Sequence, residues 1–243
     1  MSGFRLSRRA LIGGLASGGG MLLSGCNEQS PTYGSILRMG DNFTYDAQRL
    51  LLSHGKLVRE YDRSQISSMP ATGMVDPGKI EGGEAYAALR KGGFEDWRIE
   101  VGGRVARPGS FSLADLKRMQ SRTQITRHMC EEGWSAIAEW TGVALPVLLA
   151  AVGVASSARF VQFHSFDGWQ DQIDMVDALH PQTLLAYGMN GRDLPIGHGA
   201  PLRLRVERQI GYRSMKFLKR IVVADHFDTF GATSRGWAWH TGI

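Results

Sequence analysis

Arg122-Thr123-Gln124-Ile125-Thr126-Arg127-His128-Met129-Cys130 alternates along its length, then breaks at Glu131-Glu132-Gly133-Trp134-Ser135. A period-two run predicts a strand, and the charged, glycine-bearing stretch behind it predicts where that strand ends. Cys130 is therefore delivered at a strand terminus. Trp97-Arg98-Ile99-Glu100-Val101 alternates in the same way, and Gly102-Gly103 is expected to turn the chain into Arg104-Val105. Ser112 and Asp115 have the spacing of a capping box that opens a helix through Met119. Pro146 begins an apolar helix that Gly153 stops. Further strands are expected over residues 159–164, 202–206 and 217–223, with a turn at Phe166-Asp167-Gly168-Trp169 and another at Asn190-Gly191, which residues 184–187 precede. Residues 47–61 suit a short helix, and 66–77, with Pro70, Gly73 and Pro77, an irregular loop. Many short strands with few short helices make an α+β, mainly β domain.

Only two cysteines occur in the 243 residues. Ser7-Arg8-Arg9-Ala10-Leu11-Ile12 is a twin-arginine pattern leading into an uncharged stretch too short and glycine-rich for a comfortable membrane helix. Leu23-Ser24-Gly25-Cys26 then has the form of a lipobox, so residues 1–25 are expected to be a signal peptide. Cys26 would carry the lipid on the outer side of the cytoplasmic membrane, 26–45 would form a tether, and 46–243 the folded domain. Cys130 is then the one thiol left, unable to pair in an oxidising compartment. Three readings of it compete: a buried inert cysteine, a nucleophile paired with His128, and a ligand for a soft metal. Arg127 and His128 are expected to favour its thiolate. No second cysteine or paired-histidine motif supports zinc.

The formal charge of +5 falls to +2 once Arg5, Arg8 and Arg9 leave with the signal, which gives nucleic-acid binding no support. Positive charge is instead concentrated at Arg203, Arg205, Arg208, Arg213 and Lys216. Such a group can hold a phosphate, or it can be a solvated strand face with scattered ion pairs. The loop Gly197-His198-Gly199-Ala200-Pro201 just ahead favours the phosphate, since glycine lets backbone approach a ligand. Trp134, Trp140 and Trp169 suit either packing or substrate contact.

Two blocks carry a resemblance. Arg127 to Ser135 with Trp140-Thr141-Gly142-Val143-Ala144-Leu145 is the first. The second runs from Leu184-Leu185-Ala186-Tyr187-Gly188-Met189-Asn190-Gly191 through Gly197 to Leu204 and ends in Gly211-Tyr212-Arg213-Ser214-Met215-Lys216. In this order they resemble the sulfite oxidase-like molybdopterin oxidoreductases, closest to the branch of the bacterial periplasmic methionine-sulfoxide reductases. The resemblance implies a sulfite oxidase-like molybdopterin-binding fold and a molybdenum–molybdopterin without an appended nucleotide. It implies that Cys130 is the metal's protein thiolate, with His128 beside it as a catalytic candidate. It places Ser165, His198, Arg203, Arg213, Ser214, Met215 and Lys216 against the pterin and its phosphate, and an early pterin segment near Thr72 and Gly73. The Cys-Gly-Asn-Arg-Arg sequence of true sulfite oxidases is absent, so S-oxide or a related small substrate is favoured over sulfite. No Cys-x-x-Cys-His haem signature occurs, which implies a separate cytochrome, quinone-linked membrane subunit or soluble carrier for electrons. A non-catalytic pterin-binding lipoprotein of a membrane redox complex and a Cys130/His128 thiol enzyme are the competing readings.

Overall fold

The computed structural model describes residues 55–228, together with Phe43, Ala47 and Leu50. The expected signal peptide and, apart from Phe43, the tether lie outside the described residues. So does most of residues 47–54 of the expected helix; from Gly55 to Tyr61 the chain is not helical. The physical reason is visible in its partners. Val58 N donates to Gln182 Oε1, and Tyr61 N to Ile125 O, so this segment lies extended along its neighbours.

In chain order the elements begin with α1 (Glu84–Lys91), β1 (Arg98–Gly103), β2 (Gly109–Ser112) and α2 (Leu113–Arg118). They continue with β3 (Ser121–Met129), β4 (Ser135–Ala144), α3 (Leu145–Val152), β5 (Phe160–Ser165), β6 (Gln170–Asp174) and α4 (Met175–Ala178). β7 (Leu184–Met189), β8 (Arg192–Asp193), β9 (Arg203–Arg205) and β10 (Leu218–Ala224) complete the fold. One sheet has the order β2-β1-β10-β5-β6; the other runs β3-β4-β7, with β8 and β9 both pairing with β7. Only β1 and β10 are parallel to each other, Glu100 opposite Arg220.

Local chemistry accounts for most boundaries. Ser112 caps α2 by accepting from Asp115 N while Asp115 accepts from Ser112 N, the reciprocal pair of a capping box. α3 ends at Gly153 in the left-handed conformation. Asn190 and Gly191 both have positive φ, the geometry of a two-residue hairpin between β7 and β8.

Gly102-Gly103 is not the hairpin turn that its sequence suggests. Gly103 is still in β1, and a Cβ there would sit 2.1 Å from Val223 O of β10. Glycine serves the close parallel pairing, and the antiparallel partner β2 starts six residues later at Gly109.

Both sheets contribute to one apolar core, with Ile99, Val143, Phe163, Leu185, Leu204 and Ile221 all fully buried and α3 adding Leu145, Leu148 and Leu149. Burying side chains of this size contributes about 1.5–3 kcal/mol each. β3 behaves differently. Its buried positions are Gln124, Thr126 and His128, while Met129 is 58% exposed. The alternation located the strand correctly, but the face turned inward is the polar one. Such a face must satisfy its hydrogen bonds within the protein.

Candidate active site

A cleft of about 290 Å³ opens where the end of β3 meets the loops before β9 and β10. Cys130 stands on it one residue beyond β3, in a turn closed by Gly133 N donating to Cys130 O and Cys130 N to Trp134 O. His128, Thr72, Gly73, His198, Arg203, Ser214, Met215 and Lys216 line the same cleft. Nine of the expected site residues are thereby brought together from five separate stretches of chain.

Ser165 and Arg213 do not line it. Ser165, at the end of β5, donates its hydroxyl to Lys216 O at 2.5 Å and so braces the backbone behind Lys216. Arg213 is buried with Nη1 on Asp171 Oδ1 at 3.1 Å and Gln172 O at 2.8 Å, tying the loop before β10 to β6. Both act on the cleft from behind it.

The basic cluster divides in the same way. Arg205 is held by Glu207, Arg208 faces Asp177 and Arg213 faces Asp171. Arg203 and Lys216 instead bond to carbonyls. Arg203 donates to His198 O and Ser214 O, and its Nε is buried without a partner. Lys216 Nζ donates to Thr72 O, Met74 O and Gly197 O, each at 2.8–2.9 Å. Carbonyls orient a cation without neutralising it.

Burial, then the neighbouring Arg205 guanidinium, pushes Arg203 down to about 9, which still leaves it charged at neutral pH. Burial and Arg203 push Lys216 down to about 8. His198 falls to about 4 through burial and the same two cations, so it is neutral. Asp167, on the same cleft, offsets part of this charge, and an anion would relieve the rest. Gly199, at φ 107°, is required here. A Cβ would lie 2.9 Å from that of Lys216 and push the cation off its carbonyls.

On the same cleft the thiol of Cys130 is raised above its ordinary value, first by burial and then by Glu131 and Glu132. The expectation that Arg127 and His128 favour the thiolate is therefore corrected. Arg127 stacks on Tyr61 with 5.6 Å to the ring centroid, and His128, pushed to about 2 by burial and then by Arg205, carries no charge. Sγ lies 3.6 Å from Glu131 Oε2. Burial and the two carboxylates favour the thiol over the thiolate, so activation as a free nucleophile gains no support. A bound cation would displace the proton. Among the described residues no group of three or more His, Cys, Asp or Glu is placed to hold a metal. A metal at Cys130 would then take its remaining ligands from a cofactor.

The three tryptophans divide between the two uses expected of them. Trp134 and Trp169 line the cleft, whereas Trp140 is fully buried beneath Arg203 and Arg205, 5.0 and 4.4 Å from its ring centroid. Met69, Met74, Asp167 and Tyr212 also line it; the sequence marks Asp167 only as part of a turn and Tyr212 only as part of the second block, and the two methionines not at all.

Comparison with known proteins gives a concordant result. Residues 87–229 match the oxidoreductase molybdopterin binding domain. A protein of Azospira oryzae, provisionally named a protein-methionine-sulfoxide reductase subunit, is 32% identical over 239 residues, covering 98% of this chain and 86% of its own. A protein-methionine-sulfoxide reductase catalytic subunit of Xanthomonas axonopodis pv. citri is 36% identical over 141 residues, 51% of this chain and 44% of that one. Among solved structures, the sulfane dehydrogenase SoxCD of Paracoccus pantotrophus superposes with a TM-score of 0.52 at 26% identity. It covers 54% of this chain and 39% of that one. The chain thus spans less than half the length of the catalytic-subunit relative and most of the Azospira one.

The residues present fit a molybdenum–pterin cofactor: one cleft is lined by a thiol and by two cations that, among the described residues, form no ion pair with a carboxylate, Arg203 with a buried, unpartnered Nε. With a sulfite oxidase-like fold and a family match over more than half its length, this chain belongs to the molybdopterin-binding oxidoreductases.

Proposed function

We propose that this chain is the catalytic component of an exported, lipid-anchored enzyme that reduces an S-oxide or a related small substrate, with electrons from a separate redox carrier. The observation that carries the reading is that one cleft is lined by the Cys130 thiol and by the Arg203 and Lys216 cations together. In this reading Cys130 ligates the metal. Arg203, Lys216 and the 214–216 turn hold the pterin phosphate, and Thr72, Gly73 and His198 shape the pterin's seat. When bound, the cofactor supplies two-electron oxygen-atom transfer.

The chain's own residues do the rest. Trp134, Trp169 and Met69 give the cleft apolar walls that limit water. Glu131 and Glu132 line the same cleft and disfavour a small anion such as sulfite. Two electrons and two protons convert an S-oxide to sulfide and water, and no electron carrier is built from the described residues. The names of the relatives, a subunit and a catalytic subunit, support a partner that delivers those electrons. The twin-arginine pattern and Cys26 support export and lipid anchoring on the outer face of the cytoplasmic membrane, with 1–25 as signal, 26–45 as tether and 46–243 as the enzyme domain.

Dye-linked assays of the molybdenum-loaded protein test the substrate. Reduction of methionine sulfoxide or another S-oxide is expected, with sulfite oxidation at least about tenfold slower. Sulfite oxidation without S-oxide reduction would overturn the reading. For the anchor, Cys26→Ala should move the protein from the membrane to the soluble periplasmic fraction, and equal membrane retention would refute it.

A further inference from the structure

We propose that Arg205 and Glu207 are positioning residues: through buried hydrogen bonds they hold His128 in the tautomer that aims an Nε2–H donor into the cleft. The proposal rests on the cleft being the reaction site, and it assigns a role to two residues that do not line that cleft.

Arginine has only donors to offer. Arg205 Nη1 lies 2.6 Å from His128 Nδ1, so Nδ1 must be the bare, accepting nitrogen. A proton on Nδ1 would set two donors against each other at that distance. The proton of the ring therefore sits on Nε2. Arg205 cannot swing away to allow the other tautomer. Its Nε and Nη2 are fixed by Glu207 Oε1 and Oε2 at 3.0 and 2.8 Å, leaving Nη1 for the histidine. Trp140 supports the guanidinium from one face at 4.4 Å to its ring centroid. Glu207 is itself anchored, accepting from Gln124 Nε2 at 3.1 Å, while Gln124 Oε1 accepts from Arg122 Nε at 2.9 Å.

The side chains of Arg205 and Glu207 are 1% and 0% exposed. A desolvated ion pair contributes little net stability compared with apolar residues of the same volume, and the pairing of β9 with β7 uses backbone alone. What this pair does specify is the orientation of His128. On the cleft side, Nε2 has no protein hydrogen-bond partner among the described residues. Gly211 leaves room for it: a Cβ there would lie 2.8 Å from Nε2. Trp134 flanks the ring at 5.5 Å between centroids. The free N–H thus points where a ligand oxygen or nitrogen would accept it, and Arg205 and Glu207 behind the ring fix its direction.

Long-range proton–nitrogen correlation spectra of the full chain, loaded with cofactor, read the tautomer directly. His128 is expected to show a protonated Nε2 and a bare Nδ1. Glu207→Gln, which keeps the shape but loses the bidentate clamp, should mix the two tautomers. It should lower kcat by about 10–100-fold with KM changed less than about threefold and molybdenum content unchanged. Protonation at Nδ1 in the unaltered protein would overturn the proposal. So would Glu207→Gln with unchanged kcat, or with molybdenum lost in proportion to kcat, the mark of a merely structural pair. If Glu207→Gln fails to fold, the tautomer in the unaltered chain still decides. If the chain holds no molybdenum, the functional reading fails separately, and the spectrum of the cofactor-free chain tests the tautomer on its own.

Discussion

Two regions of the molecule bury opposite chemistry. β5 and β10 present Val161, Phe163, Ile221 and Val223 to the core, each essentially inaccessible. β3 and β9 bury Gln124, Thr126, His128, Arg203 and Arg205 just as deeply, Arg203 to 2% and Arg205 to 1%. In the first region burial itself is the stabilising term. In the second it is a cost, offset by hydrogen bonds and, at Arg203 and Lys216, left partly unmet until an anion arrives. The same degree of exposure therefore marks a core in one region and a binding site in the other.

The sharpest way to break this contrast is to injure each side and ask what is lost. Phe163→Ala should destabilise the chain by about 3–5 kcal/mol in urea unfolding, through lost transfer energy and the cavity left behind, with cofactor still bound by the folded fraction. Lys216→Met should do the reverse. The carbonyls it serves, of Thr72, Met74 and Gly197, are half-buried, so water can replace the ammonium in the cofactor-free chain. Its unfolding should shift by less than about 1.5 kcal/mol, while pterin retention on dialysis falls about 100-fold, the worth of one charge-assisted contact. Equal losses of stability in the two variants would erase the distinction.

Gly211→Ala probes the seam between the regions. Its Cβ would meet the His128 ring at 2.8 Å and Glu131 Oε2 at 3.1 Å, and the ring is pinned by Arg205. A destabilisation of about 1–3 kcal/mol is expected, with turnover reduced further than the folded fraction explains.

The smallest effect is one of pH. His198 has a folded pKa of about 4, below the free value of 6.5, so the unfolded chain takes up the proton first. Its contribution to the stability of the cofactor-free protein is present above about pH 6.5 and is lost as pH falls from there toward 4. His198→Gln should flatten the urea midpoint across that window by up to about one proton's worth of slope, and an unchanged slope would count against a buried neutral imidazole.

How much of this was legible in the sequence follows from the same contrast. Period-two alternation and capping residues placed β1, β3, β5, β9, β10 and α2, because those elements depend on local patterns. Gly103 misled because its partner is β10, some 120 residues away, and no local signal reports a parallel neighbour. Cys130, His198, Arg203 and Lys216 were recognisable as residue types suited to a thiolate ligand and an anion. Arg213 was recognisable in kind but not in direction, since Asp171 lies on a different strand. The pairing of Glu207 with Arg205 was in reach: the two are two residues apart and of opposite sign. Its consequence for His128 was not, because it depends on β9 lying within reach of β3.

The central claim is that Cys130 and the Arg203 and Lys216 cations of the same cleft share one molybdenum-bearing pterin. X-ray absorption at the molybdenum edge, on the loaded chain and on Cys130→Ser, tests it most directly. The account predicts that the unaltered protein binds molybdenum and that Cys130→Ser shows one sulfur neighbour fewer, with an oxygen-type ligand in its place. An identical sulfur shell in both proteins would contradict it.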